Sequence, residues 1–189
     1  MKKLFLTLVS LSFAALFSSE VSASGPVVKT GLEVLRDSGF EGLAGRKVGL
    51  VTNPSGVDSQ LRSAVDILYN APEVELVALY GPEHGVRGDV YAGDKVSDAV
   101  DAATGLPVFS LYGATRKPTG EMLQGVDVMV YDIQDVGVRS YTFISTLGLV
   151  MEACAPLGIE VMVLDRPNPL GGEKIEGCYV EQPFNSFVS

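Results

Sequence analysis

The sequence predicts an α/β fold in which a parallel sheet is flanked by helices. Five short apolar runs have the composition of buried strands, and segments with apolar residues at helical spacing lie between them. This alternation of strands and helices favours a single Rossmann-like sheet. The predicted strands are Val48–Val51, Val74–Leu79, Leu106–Leu111, Val126–Tyr131 and Ile159–Leu164.

The segments between the strands divide into helices and one long polar connection. The segment from Val86 to Gly105 has no clear periodicity, and a loop of this length is typical of a functional or mobile region. From Gly171 onward the sequence predicts loop. The predicted helices are Gly31–Ser38, Gln60–Asn70 and Tyr141–Ala155, with a helical turn at Pro118–Leu123.

The first 23 residues are predicted to be a secretory signal peptide. Lys2 and Lys3 precede an apolar run from Leu4 to Phe17, and Val21-Ser22-Ala23 supplies small residues for cleavage. The run is short for a membrane span, and no cysteine at the cleavage site indicates a lipid anchor. The expected product is one domain over residues 24–189, secreted or periplasmic and without a membrane anchor.

The charge and the absence of nucleotide motifs exclude several kinds of partner. The full chain has a formal net charge of −9, which argues against binding to nucleic acid or to an anionic membrane. Neither GxGxxG nor GxxxxGK[ST] occurs, so no dinucleotide or P-loop nucleotide site is expected and no cofactor is predicted. The two cysteines, Cys154 and Cys178, lack the spacing of a metal site; an exported protein permits a disulfide between them, but Cys154 can equally be packed in a helix.

Polar side chains follow every predicted strand. Because the carboxyl ends of parallel strands meet at one edge of a sheet, where open α/β folds bind ligands, these side chains predict a polar crevice. The alternative is that strand ends are polar in any sheet. The candidate residues are Asn53 and Ser55 after the first strand, Glu83, His84 and Arg87 after the second, Tyr112 after the third, Asp132, Gln134, Arg139 and Tyr141 after the fourth, and Arg166 and Asn168 after the fifth.

The loop after the second strand has the most unusual composition. It reads Gly81-Pro82-Glu83-His84-Gly85 and places an acid beside the only histidine of the chain. Glycine and proline predict a rigid turn. The alternative is a tight turn with a solvated glutamate and a surface histidine.

The residue types around this loop indicate recognition of a sugar or polyol. Glu83 is the best candidate for a general acid, because burial against Tyr80 or Pro82 would raise its pKa. Asp132 is a candidate second carboxylate. His84 could orient Glu83, bind the substrate or have a purely structural role.

Arginines and other acids allow further interpretations. Arg139 and Arg166 could each hold a substrate carboxylate through two hydrogen bonds, or could form ion pairs with Asp135 or Asp165. A metal site from Glu83, His84, Asp89 and Asp132 is a weaker alternative, because the spacing matches no known metal cage. A serine hydrolase is weaker still, since Gly-x-Ser-x-Gly is absent.

Five segments, in order, resemble the N-terminal domain of the exo-β-N-acetylmuramidase family (NamZ/YbbC type). They are Gly49–Gly56, Gly81–Gly88, Leu111–Gly113, Tyr131–Thr142 and Asp165–Gly172. The resemblance implies a Rossmann-like domain followed by a smaller α/β domain. It also implies release of terminal N-acetylmuramic acid from the non-reducing end of peptidoglycan fragments, with muropeptides or muramyl disaccharides as substrates. Glu83 would be the catalytic acid, and the other motif residues would line the sugar pocket.

The chain is also expected to depart from the resembling family in length. Family members are about twice as long, so the second domain is expected to be missing. Two alternatives to a muramidase therefore stay open: a binding module or remnant that keeps the sugar pocket without turnover, and a metal-assisted hydrolase of another small polar substrate.

Overall fold

The computed structural model describes residues 28–88, 91 and 97–188. The predicted signal peptide lies outside these residues. Within them, no helix combines the length and the apolar character needed to cross a membrane.

A six-stranded sheet forms the centre of the molecule. Its spatial order is β3-β4-β2-β1-β5-β6, and every neighbouring pair is parallel except β3 with β4. The central strands β1, β2 and β5 are almost entirely buried, whereas β6 is an exposed edge. The strands are β1 (Lys47–Thr52), β2 (Glu75–Gly81), β3 (Ala99–Val100), β4 (Pro107–Ser110), β5 (Val128–Asp132) and β6 (Glu160–Val163).

Within the described residues, three α-helices and two short 3-10 segments accompany the sheet. The first helix begins with a capping box, in which the hydroxyl of Thr30 accepts a hydrogen bond from the backbone N–H of Glu33 and the carboxylate of Glu33 accepts one from the backbone N–H of Thr30. The hydroxyl of Ser63 caps the second helix by accepting a hydrogen bond from the backbone N–H of Val65. The helices are α1 (Gly31–Asp37), α2 (Ala64–Tyr69) and α3 (Phe143–Cys154), and the 3-10 segments are Ala155–Leu157 and Gln182–Phe184.

Two apolar clusters cover the two faces of the sheet. Helices α1 and α2 pack on one face through residues such as Leu32 and Leu68, against Leu50 and Val130 of the strands. Helix α3 packs on the other face, where Val150 belongs to the same cluster as Val51, Tyr80, Met129 and Tyr131. Alternate residues of β1 and β5 therefore face different helices, as the period of a strand requires.

The predicted α/β fold with a parallel sheet is confirmed, and each predicted strand and helix exists. The largest difference concerns α2, which begins at Ala64 rather than Gln60. The segment before it is a turn around Asp58, whose carboxylate accepts hydrogen bonds from the backbone N–H groups of Gln60 and Arg62, and Leu61 within it has a φ of 61°. The sequence did not predict β3, because its two residues are too few to show a period.

Candidate active site

A cavity of about 530 Å³ opens at the carboxyl edge of the sheet, on the side covered by α3. Its walls come from the loop after β1, the loop after β2 and the entry into α3. Chain segments far apart in sequence therefore meet at one place, as expected for the strand ends of a parallel sheet. The lining residues are Asn53, Pro54, Ser55, Glu83, His84, Gly88, Ser140, Tyr141, Thr142 and Phe143.

A chain of hydrogen bonds fixes the wall that follows β1. The side-chain oxygen of Asn53 accepts hydrogen bonds from the backbone N–H of Ser55 at 2.9 Å and from its hydroxyl at 2.5 Å. The same hydroxyl oxygen accepts a hydrogen bond from the backbone N–H of Gln134 at 2.9 Å. The side chain of Gln134 in turn donates to the carbonyl of Pro167 at 2.9 Å. The loops after β1, β5 and β6 are thus held in one rigid arrangement.

The loop after β2 is tightly folded and carries backbone strain. The carbonyl of Pro82 accepts a hydrogen bond from the N–H of Gly85 at 2.9 Å, which closes a turn around Glu83 and His84. His84 has a φ of 73°, a left-handed conformation that is costly for a residue with a Cβ. Gly88 packs so closely on Pro54 that an added Cβ would lie 2.5 Å from its ring. Strain of this kind is found where surrounding structure fixes a functional residue.

Glu83 lies half-buried between this loop and the start of α3. The hydroxyl of Thr142 donates a long hydrogen bond of 3.4 Å to its carboxylate. Thr142 occupies the N-cap position of α3 but makes no side-chain capping hydrogen bond with the helix. A hydroxyl that would ordinarily stabilise a helix end is therefore directed at the acid instead.

Two tyrosines complete the surroundings of Glu83. Partial burial raises the pKa of Tyr112, and the negative charge and hydrogen bonding of Glu83 raise that pKa further. The hydroxyl of Tyr131 donates to the carbonyl of Phe143 at 2.7 Å and so ties the first turn of α3 to β5. This contact fixes the position from which Thr142 reaches Glu83.

Asp132 lies away from the cavity. Its side chain is fully buried and receives two hydrogen bonds from Arg166, Nε to Oδ1 at 2.7 Å and Nη2 to Oδ2 at 2.8 Å. The third nitrogen of Arg166 donates to the carbonyl of Val57 at 2.9 Å. Burial raises the pKa of Asp132, and the hydrogen bonds and charge of Arg166 oppose this rise. The predicted second carboxylate and one predicted substrate-binding arginine thus pair with each other inside the domain.

Five other predicted site residues also lie outside the lining, namely Tyr112 and Gln134, whose contacts are given above, and Arg87, Arg139 and Asn168. Arg87 pairs with Asp101 and Asp66. Arg139 is exposed and donates to the carbonyl of Cys178 at 3.1 Å. Asn168 is exposed, and its side chain accepts a hydrogen bond from the backbone N–H of Leu170.

The alternative metal site predicted from Glu83, His84, Asp89 and Asp132 can be compared with the positions of these residues. Among the described residues no group of three or more His, Cys, Asp or Glu side chains is arranged to hold a metal ion. Asp132 points into the other face of the sheet, and Asp89 lies outside the described residues. Cys154 is buried and Cys178 is exposed, and both are free thiols.

Comparison with known proteins shows the family to which the chain belongs. The model of the family described as "Exo-beta-N-acetylmuramidase NamZ, N-terminal" matches residues 48–189. The chain belongs to this family. Peptidoglycan β-N-acetylmuramidase NamZ of Bacillus subtilis (strain 168) is 53% identical over 171 residues, which are 90% of this chain and 41% of that protein. The chain thus spans about two fifths of the length of this relative.

Two crystal structures of DUF1343 family proteins from Bacteroides fragilis NCTC 9343 share the fold. One is 61% identical, with a TM-score of 0.79 over 87% of this chain and 41% of its own. The other is 31% identical, with a TM-score of 0.71 over 86% of this chain and 41% of its own. The α/β architecture is therefore that of the family domain.

The cavity also contains residues that were predicted only as members of the motif segments, without a role of their own. Pro54, Gly88, Ser140 and Thr142 belong to the segments that the family resemblance implied would line the pocket, and they line the cavity. Phe143 lies one residue beyond these segments and was not predicted to line the pocket. The chemistry of Thr142 depends on which way its hydroxyl points, and only three-dimensional geometry decides that.

Proposed function

We propose that this domain forms the muramyl-binding and acid-bearing part of a glycoside hydrolase. The enzyme would release terminal N-acetylmuramic acid from the non-reducing end of peptidoglycan fragments during cell-wall turnover and recycling. The observation that carries this proposal is the position of Glu83, a half-buried carboxylate in a cavity lined by hydroxyl and amide groups. Membership of the exo-β-N-acetylmuramidase family supports it.

Several groups in and beside the cavity have a role in the proposed reaction. Glu83 donates a proton to the glycosidic oxygen as the bond from that oxygen to the anomeric carbon breaks. Water adds its hydroxyl to that carbon, and the proton that the water releases restores the acid. The adjoining hydroxyls of Thr142 and Tyr112 hold the Glu83 carboxyl group toward the cavity. Asn53 and Tyr141 supply the amide and aromatic surface that sugars contact, and His84 is the other titratable group of the loop. The predicted export signal supports a site of action outside the cytoplasm.

A second candidate function is a muropeptide-binding module that does not turn over its ligand. The observation that favours it is that Glu83 is the sole carboxylate among the described residues lining the cavity. Glycosidases of the common type place two carboxylates across the scissile bond. Asp132 does not supply the second one here, because Arg166 engages both of its oxygens.

The test compares hydrolysis and binding in three proteins. Wild type, Glu83→Gln and the exposed control Glu73→Gln are incubated with a chromogenic β-N-acetylmuramide and with the matching β-N-acetylglucosaminide. We expect release from the muramide by wild type and Glu73→Gln, and a loss of at least about 100-fold in Glu83→Gln. Binding of the muramide without release would favour the binding module. An undiminished rate in Glu83→Gln would overturn the assignment of the acid. If wild type neither bound nor hydrolysed the muramide, the proposal itself would be overturned.

A further inference from the structure

The arginines of this chain differ sharply in whether they already have a carboxylate partner. All seven lie within the described residues. Five of them form ion pairs, and the charge of each is thereby neutralised inside the domain. Those five are Arg36, Arg46, Arg62, Arg87 and Arg166. Neither Arg116 nor Arg139 contacts a carboxylate within residues 28–88, 91 and 97–188.

Arg116 is held by aromatic rings instead. Its guanidinium carbon lies 5.6 Å from the centre of the Tyr112 ring and 4.4 Å from the centre of the Phe187 ring. Such contacts attract the cation electrostatically and restrict its position. Within the described part of the chain, no hydrogen bond from its five N–H donors to a protein acceptor is formed.

This arrangement prepares Arg116 to bind an anion. The guanidinium carries five N–H donors in a planar fork that matches the two oxygens of a carboxylate. The chain carries a net charge of −9, so an anionic ligand is not attracted by the domain as a whole. A local cation that pairs with no carboxylate of the described residues can supply the attraction that such a ligand requires.

Tyr112 connects this cation to the site of Glu83. The Arg116 guanidinium lies over its ring, 5.6 Å from the centre, and the charge and hydrogen bonding of Glu83 raise the pKa of its phenol. Arg116 is therefore one aromatic ring away from the acid. The two arginines that the sequence suggested for binding a substrate carboxylate have other partners. Arg166 forms an ion pair with Asp132, and Arg139 donates a hydrogen bond to the carbonyl of Cys178.

We propose that Arg116, held by its contacts with the rings of Tyr112 and Phe187, is the specificity-determining residue for the lactyl carboxylate of N-acetylmuramic acid. The inference rests on the proposed function, because it assigns one contact within the same sugar site. It explains how an acidic domain selects a sugar acid over the neutral N-acetylglucosamine. It also gives Phe187 a function, namely to hold the guanidinium through a second aromatic contact.

The test measures the dissociation constants of N-acetylmuramic acid and its uncharged methyl ester. The proteins are wild type, Arg116→Met, Arg116→Lys and the matched control Arg139→Met, each checked for an unchanged thermal unfolding midpoint. We expect wild type to prefer the acid over the ester about tenfold or more, as a bidentate charged contact implies. Arg116→Met should lose this preference while keeping its affinity for the ester, and Arg116→Lys should keep part of it.

The outcomes separate this inference from the proposed function. A preference for the acid that persists in Arg116→Met overturns the role of Arg116 and leaves the sugar site standing. A preference that disappears in Arg139→Met instead transfers the contact to Arg139 and also overturns the inference. If wild type binds neither the acid nor the ester, the proposed function itself is overturned.

Discussion

Glu83 and Asp132 are both acids at the carboxyl edge of the sheet, but their environments differ completely. Glu83 is half-buried, lines the cavity on the α3 side and has a hydroxyl of α3 beside it. Asp132 is fully buried on the side of α1 and α2, with both carboxylate oxygens bonded to Arg166. One acid is positioned for a ligand and the other holds two strand ends together.

The difference follows from position along the strand. Asp132 is the last residue of β5 and alternates with Val130 and Val128, which belong to the cluster under α1 and α2. Glu83 lies two residues beyond the end of β2, in a turn whose direction is set by Pro82 and two left-handed residues. The side chain of an acid inside a strand lies on the face of the sheet that the alternation of the strand sets, whereas the side chain of an acid in a loop is directed by the turn.

The largest effect that would test this comparison is on stability. Asp132→Asn should lower the free energy of unfolding by about 3 kcal/mol, because it leaves the Arg166 charge buried without its partner. Glu83→Gln should change it by less than about 0.5 kcal/mol, since the side chain is half-buried and the substitution keeps its shape. Urea unfolding of both variants measures the two values. Equal losses in the two variants would contradict the division of roles.

A smaller effect concerns a third acid, Asp101, which pairs with Arg87 at the side of the domain. Hydrogen bonds from Arg87 are the largest cause that lowers the pKa of Asp101 to about 2, while burial opposes this shift and Thr104 assists it. The unfolded pKa is about 3.9, so the stabilisation is present above that value and is lost as the pH falls through the folded pKa.

Asp101→Asn should therefore cost about 2 kcal/mol at pH 7, the range expected for hydrogen bonds to a charged group. The difference from wild type should narrow progressively from about pH 4 to about pH 2 and vanish below that, where Asp101 becomes neutral in both states. Urea unfolding at several pH values measures this, with Glu73→Gln as an exposed control. A difference that stays constant down to pH 2 would rule out the ion pair as its cause.

The sequence predicted the sheet better than it predicted the site. Buried runs such as Val126–Tyr131 are long enough to reveal strands, and the order of strands and helices fixes a parallel sheet. Asp132 and Thr142 show why roles were harder to predict. Residue type shows that both side chains are polar but does not show what they contact. The partner of Asp132 is Arg166, 34 residues away in sequence, and the partner of Thr142 is Glu83, 59 residues away.

The smallest effect concerns the backbone that carries Glu83. His84→Gly and His84→Ala both remove the imidazole, so their difference reports the cost of a left-handed φ for a residue with a Cβ. We expect the glycine variant to be more stable than the alanine variant by about 1 kcal/mol, measured by urea unfolding.

Leu61 is the matched control for this comparison, because it has a φ of 61° and is 81% exposed on the turn before α2. Glycine and alanine at position 61 should differ by a similar amount in stability, while neither should change the affinity for N-acetylmuramic acid. Both variants at position 84 should weaken that affinity, since His84 lines the cavity. A different result would be that the glycine and alanine variants differ in stability at position 84 but not at position 61. That result would mean that contacts within the Glu83 loop, rather than the left-handed φ itself, cause the difference at position 84.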